Sequence, residues 1–395
     1  KSFNSEYAKN LYIESDNLYA LLFLQKDYKD KIKIIYIDPP YNTGKKFTYA
    51  DNFQTKTEWM NYLYVRLSLA KNLLTDDGLI FISIDDKACP HLRIILDEIF
   101  GTENFISTLV WNNSTGGGLP KKHINTSHEY IILYAKDKTK VKSMTAPMPE
   151  KAKKMYKYKD ADGRFFRYLQ FAWKNKTDAK RQKYPIKTPD RNFIVPKAGY
   201  IYRFVEKSFF NLLEKNLIEF KKSDKSVFTD IKGLPTKWTI YVKTYLEKKE
   251  ETVPKSLLPT EYVKTNIQSV YEQKVLFGAK IFDYAKPVSL LKYLFKLVPN
   301  SDDAVVLDFF SGSATTAHAV MELNSELNEN RKFILVQRGE PCPEDSPALK
   351  AGFKTIAALG RERIIRASTL IQKRLSQTTF GFKYLELSGE QDLIF

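Results

Sequence analysis

An aspartate, two prolines and a tyrosine, Asp38 to Tyr41, follow directly on the apolar run Ile34-Ile35-Tyr36-Ile37. Such residues weaken a sheet, because proline brings no N–H to a ladder and an unpaired acid is costly beside a core. They suit chemistry on an exocyclic aromatic amine. The lone pair of that amine is delocalised into its ring, so the nitrogen is a poor nucleophile. The Asp38 carboxylate and the Pro39 carbonyl would accept its two N–H bonds, favour a pyramidal nitrogen and aim the lone pair at an electrophilic methyl group. Pro39 and Pro40 stiffen the backbone that carries those acceptors, and Tyr41 offers a ring on which a planar base stacks. For the four letters alone, a turn ending a strand is an equal reading.

A second segment, Val305-Val306-Leu307-Asp308-Phe309-Phe310-Ser311-Gly312-Ser313, runs from an apolar strand pattern through a Gly/Ser turn into a helix pattern that starts at Ala314. At the carboxyl edge of a parallel sheet such a turn lets backbone N–H groups and a helix N-terminus approach a ligand, with Gly312 supplying the free φ and the missing side chain. It lacks the Gly-Lys-Ser/Thr of a phosphate loop and the Gly-x-Gly-x-x-Gly of a dinucleotide site. If both segments end strands of one sheet, a cofactor over Phe309 to Ser313 and a planar substrate against Asp38 to Tyr41 meet in one crevice.

The elements that must hold these segments alternate. Strand patterns at 10–15, 31–38 and 76–85 are separated by helix patterns at 16–28 and 57–74, and a further helix pattern covers 91–101. Apolar runs bounded by helices predict a parallel sheet covered on its faces. Alternation returns after the middle of the chain, with a helix over Pro287–Val298, a strand over 304–310, a helix from Ala314 and a strand over 332–337. Between lies a stretch rich in lysine and aromatics, with short strand patterns at Asn192–Pro196 and Lys237–Tyr245, entered through the glycine-rich segment 113–122. The expected organisation is a core formed by 1–139 and 266–395, with an inserted α+β domain at 140–265.

Charge follows that division. Of 63 Lys and Arg and 46 Asp and Glu, residues 138–260 hold 30 and 13, leaving 33 of each in the rest of the chain. A solvated surface would spread the excess, so its concentration points to a polyanion, nucleic acid, as partner of the central segment. Two cysteines and four histidines without ligand spacing predict no metal site and no disulfide framework, which fits a reducing cytoplasm. No stretch is apolar for the roughly 20 residues that a membrane helix needs. Cys89, His128 and Glu129 have no partner at a usable spacing and are expected in the core or on the surface.

Asp38–Tyr41 and the turn Asp308–Thr316 together resemble the amino-methylating DNA methyltransferases that use S-adenosylmethionine, with a catalytic Asp-Pro-Pro-Tyr and a cofactor loop of the kind Asp-x-Phe-x-Gly-Ser-Gly-Thr-Thr. The catalytic motif precedes the cofactor loop, the circularly permuted order of the β class. More narrowly, NLYIESDNLYALLFL, IIYIDPPYNTG, DDGLIFISIDD, SHEYIILYAKD, FGAKIFDYAKP, DFFSGSATTAHAV and GFKYLEL resemble, in this order, the modification (Mod) subunit of type III restriction-modification systems. The resemblance implies a Rossmann-like α/β core of mixed, mostly parallel sheet, with the insertion as target-recognition domain. It also implies N6 methylation of an adenine flipped out of double-stranded DNA, since cytosine-directed relatives more often carry Ser, and protein-amide relatives Asn, at the position of Asp38. A homodimer and a separate restriction subunit follow from the family alone.

Position by position, the family implies Asp38, Pro39, Pro40 and Tyr41 as the catalytic set. Asp308, Phe309, Gly312, Ser313 and Thr315 form its cofactor loop, and Asp283 and Lys286 sit beside the methionine end. Asp16 resembles the acid that meets the adenine of the cofactor, and it also fits a helix N-cap. Two positions depart from the pattern. Ala314 stands where the family has its second glycine, and Gln337 stands where an acid commonly binds the ribose hydroxyls. Gln337 can accept one such bond without charge, or be an ordinary polar residue at a strand end.

Overall fold

The computed structural model describes residues 2–4, 9–43, 53–114, 116, 123–175, 179–246, 251–374 and 380–387. Gly44 and most of the glycine-rich segment 113–122 lie outside them. The chain forms two compact units, one from Lys1–Ala146 with Val253–Phe395 and one from Pro147–Thr252. The second unit begins and ends inside the limits of 140–265 expected from composition.

In the first unit one sheet is built from β1 (Asn10–Glu14), β2 (Ile32–Ile37), β3 (Leu74–Ile84), β4 (Phe105–Asn112), β5 (His128–Ala135), β6 (Val305–Asp308), β7 (Lys332–Gln337) and β8 (Phe382–Glu386). Their order is β8-β1-β7-β6-β2-β3-β5-β4, with Ser2–Phe3 paired outside β8. From β8 to β3 every pairing is parallel, whereas β5 pairs antiparallel with both β3 and β4. This is the mixed, mostly parallel α/β sheet that the family resemblance implied, where the alternation alone predicted a parallel one. All six residues of β2 are buried, as a strand covered on both faces requires.

Period-two alternation sorts the apolar side chains. Ile35, Ile37, Ile80 and Ile82 pack under α1 (Asn17–Tyr28), α2 (Lys56–Leu73) and α3 (Cys89–Phe100). Ile34, Tyr36, Leu79 and Phe81 face the opposite layer, with α4 (Asn266–Phe277), α5 (Val288–Lys296), α6 (Thr315–Leu327) and α7 (Ile356–Arg374). Helix α2 opens on a capping box in which the Thr55 hydroxyl accepts from Glu58 N at 3.1 Å and the Glu58 carboxylate accepts from Gln54 N at 2.9 Å.

The site follows from one feature of this topology. Strand β2 leads through α2 to β3 on one side, and its neighbour β6 leads through α6 to β7 on the other. The chain therefore diverges between the carboxyl ends of β2 and β6, where an open α/β sheet leaves a crevice. Val306 pairs with Ile34 and Leu307 with Ile35, so Asp38 and Asp308 emerge at the same edge although 270 residues separate them.

The second unit is built on an antiparallel sheet, in the order Ile218–Lys222, Trp238–Tyr245, Phe165–Gln170 and Tyr158–Lys159. A smaller sheet centres on Phe193–Pro196, and helices cover Glu150–Lys153 and Glu206–Glu214. Its core is aromatic, with Phe171, Tyr184, Tyr202, Phe209 and Phe228 buried together.

Candidate active site at the carboxyl ends of two parallel strands

Asp38 lies one residue beyond β2 and belongs to a tight polar cluster. Lys286 Nζ donates to Asp38 Oδ1 at 2.8 Å and to Oδ2 at 2.7 Å, and the Tyr41 hydroxyl donates to Oδ1 at 2.7 Å. Glu129, on β5, is the second acid: its Oε2 is 3.3 Å from the Tyr41 hydroxyl and 3.4 Å from Lys286 Nζ, while its Oε1 accepts from Asn113 Nδ2 at 2.8 Å. Burial raises the Asp38 carboxyl above its ordinary range, Lys286 opposes the rise and Glu129 adds to it. Burial works against the charge on Lys286, but Asp38 and Glu129 more than offset it and hold the ammonium above the ordinary lysine range.

The turn itself is held from α2, where Trp59 Nε1 donates to the Pro40 carbonyl at 2.7 Å. Among the described residues nothing donates to the Pro39 carbonyl, so that acceptor is available beside Asp38.

The loop after β6 is organised by its own side chains. Asp308 accepts from Phe310 N at 3.0 Å and from the Thr316 hydroxyl at 2.5 Å, and burial pushes its carboxyl up to about 7. Gly312 has φ +49°, and a Cβ there would stand 3.4 Å from the Phe282 ring. Ala314 takes the left-handed conformation too, at φ 61° and ψ 36°. The backbone thus turns where the family carries its second glycine, at the cost of about 1–2 kcal/mol that a Cβ imposes in this region. Gly360 of α7 lets that helix close on the loop, since a Cβ there would come within 3.1 Å of the Gly312 carbonyl.

Arg363, fully buried on α7, donates from Nη1 to the Ser313 and Thr315 hydroxyls at 2.9 and 2.8 Å, and its Nη2 lies 3.5 Å from Glu272 on α4. Burial lowers the guanidinium to about 10 and raises the Glu272 carboxyl to about 7.

A cleft enclosing about 940 Å³, part of it open to solvent, joins the two segments. Asp16, Asp38, Pro40, Lys286, Asp308, Phe309, Gly312, Ser313, Thr315 and Gln337 all line it. Asp16 caps α1 by accepting from Leu18 N at 2.8 Å, and the same oxygen accepts from Arg66 Nη2 at 3.0 Å. Gln337 accepts from Gly312 N at 2.7 Å through its amide oxygen, so it shapes the loop as well as facing the cleft.

Three expected site residues lie elsewhere. Pro39 and Tyr41 do not line the cleft, although Tyr41 reaches it through Asp38. Asp283 does not line it either: Phe282 turns inward, and the next carboxylate pairs with Lys280 at 2.9 Å. Lys286, expected beside the cofactor, lines the cleft but spends its ammonium on Asp38. Glu129, expected in the core or on the surface, belongs to the polar cluster around Asp38. It joins by strand pairing, which brings β5 beside β3, and no spacing along the chain announces that. Arg363 and Glu272 carry no sequence signal of their own, because their role is to hold the loop from behind.

Asp308 supplies a pH test. Its carboxyl is raised in the folded state, so the folded protein keeps a proton that the unfolded chain loses, and stability falls as pH rises from about 4 to about 7. Asp308→Asn keeps an acceptor for Phe310 N without the buried charge. Urea denaturation should find the variant gaining on the wild type by a few kcal/mol across that window; a difference independent of pH would mean that Asp308 is ionised throughout.

Comparison with known proteins matches this geometry to a family. The model of a DNA methylase family, the N6 and N4 methyltransferases, covers residues 32–341. The StyLTI Mod subunit, a type III restriction-modification enzyme of Salmonella typhimurium, is 33% identical over 95% of this chain and 60% of its own length. The EcoP15I Mod subunit of Escherichia coli is 31% identical over 96% of this chain and 65% of its own. The chain thus spans somewhat less than two thirds of these two relatives. The type II methyltransferase M.KpnI of Klebsiella pneumoniae is 31% identical over 90% of this chain and 87% of its own length. The chain carrying this cleft belongs to the DNA methylase family.

Proposed function

We propose that the protein transfers a methyl group from S-adenosylmethionine to the N6 amine of an adenine flipped out of double-stranded DNA. The observation that carries this reading is the convergence of Asp38 and the 308–316 loop on one cleft at the carboxyl ends of adjacent parallel strands. The residues present fit the cofactor. Gly312 leaves room for a ligand against backbone, and Asp16, Asp308 and Gln337 line the same cleft. When bound, S-adenosylmethionine would supply a methyl group on a positively charged sulfur.

The chain's own residues would do the rest. A base inside a duplex cannot reach a sheet-edge cleft, so the adenine must leave the stack. Asp38 and the Pro39 carbonyl would accept the two amine hydrogens and stabilise positive charge as it develops on nitrogen. The Trp59 bond to the Pro40 carbonyl ties the turn that carries the Pro39 carbonyl to α2. The Tyr41 hydroxyl fixes the Asp38 carboxylate, and its ring is proposed as the stacking face. The alternative amine, cytosine N4, is disfavoured by aspartate at position 38.

The unit Pro147–Thr252 is proposed as the target-recognition domain, on its 26 basic against 13 acidic residues. The names of the relatives, subunits of restriction-modification enzymes, support a separate restriction subunit as partner. A homodimer is proposed from family likeness alone.

Two experiments test these assignments. Asp38→Ala should abolish methyl transfer while calorimetry finds S-adenosylmethionine affinity within about 1 kcal/mol of wild type; retained transfer would remove Asp38 from the mechanism. Charge reversal of Lys174, Lys183 and Arg191 should weaken DNA binding and flatten its salt dependence, by about 0.9 in slope for each phosphate that is no longer neutralised. The matched set Lys26, Lys29 and Lys71 should do much less. Equal effects of the two sets would withdraw the recognition role from the central unit.

A further inference from the structure

In the resting site Asp38 is already occupied. Both of its oxygens accept from Lys286 Nζ, and Oδ1 also accepts from Tyr41. The Lys286 side chain is 6% exposed and the Asp38 side chain 27%, so solvent reaches the carboxylate but hardly the ammonium. An oxygen can accept a second bond, but a carboxylate neutralised by an ammonium is a poor acceptor for an amine that is itself becoming positive. Two cations on one carboxylate repel, and burial strengthens the repulsion. A second acid stands ready, because Glu129 Oε2 lies 3.4 Å from the same ammonium and Glu129 is itself fixed by Asn113.

We propose that Lys286 stands in for the substrate amine on Asp38, and that Glu129 takes the ammonium over when the flipped base enters. The inference rests on the reading of Asp38 as the acceptor of the target amine. It makes Lys286 and Glu129 positioning residues. In the empty site the ammonium keeps two half-buried carboxylates from facing each other unpaired, a state that is disfavoured. In the loaded site the target amine replaces it on Asp38 and Glu129 retains it, so the net charge of the cluster is held while its donor changes. A base without an exocyclic amine at the reacting position offers nothing to replace Lys286, and the site thereby discriminates against it.

The two side chains carry opposite roles toward the base, and a double-mutant cycle separates them. Glu129→Gln removes the receiving carboxylate and leaves Lys286 on Asp38. KM for a duplex carrying the methylated motif should rise about tenfold, with cofactor affinity within about twofold of wild type. Adding Lys286→Gln removes the competitor, so the double variant should recover part of that loss and bind the base better than Glu129→Gln alone. Far-UV circular dichroism and cofactor calorimetry confirm that each variant is folded. Losses that multiply, leaving the double variant worse than either single one, would show that the pair only buttresses the site and would overturn the proposal. Methylation by the wild type is measured first on the same duplex; its absence overturns the parent reading, and this inference with it.

Discussion

The parallel pairing of β2 with β6 is the constraint on which the rest depends. Two rows of buried β-branched and leucine side chains, Ile34 and Ile35 against Val306 and Leu307, fix the register, and a slip of one residue would turn each strand's faces inside out. With the register set, the acid after one strand and the acid ending the other face a common crevice, because their connections run to opposite sides. Neither motif has a site without the other, and the long separation between them in sequence is closed by sheet hydrogen bonds alone.

A buried crevice of this kind accumulates polar groups that must be satisfied, and the cleft meets that demand in two tiers. Toward the cleft, Lys286 bridges Asp38 and Glu129 and Tyr41 ties the same carboxylates together. Behind the loop, Arg363 donates to Ser313 and Thr315 with Glu272 near its guanidinium. The second tier pre-organises backbone that a ligand would meet, so the loop's shape does not wait on binding. The strained Ala314 persists inside this support, held by α7 closing at Gly360.

Much of this was legible in the sequence where a local pattern carries the information. The alternation around Ile32–Ile37 and Val305–Asp308 placed both strands, and Asp16 announced the cap of α1 that the structure contains. Basic residues marked a separate central unit, with limits that enclose Pro147–Thr252 and overshoot it by 7 residues at one end and 13 at the other. Side-chain direction was not legible: Phe282 faces inward and Asp283 outward, a choice made by packing against the loop rather than by the tetrapeptide around it. Nor was Glu129, whose partners lie 88 and 157 residues away and meet only through the antiparallel strands at the sheet's edge. Buried supports such as Arg363 look in sequence like any basic residue on an amphipathic helix.

The central claim is that the cleft acts on the exocyclic amine of adenine in DNA, and it is tested most directly by base-modification sequencing of DNA from cells that express the protein. The account predicts N6-methyladenine at one fixed sequence motif, absent from cells without it. N4-methylcytosine at a fixed motif would leave the cleft's chemistry standing and contradict the base assigned through Asp38, while DNA without any added methyl group would contradict the account as a whole.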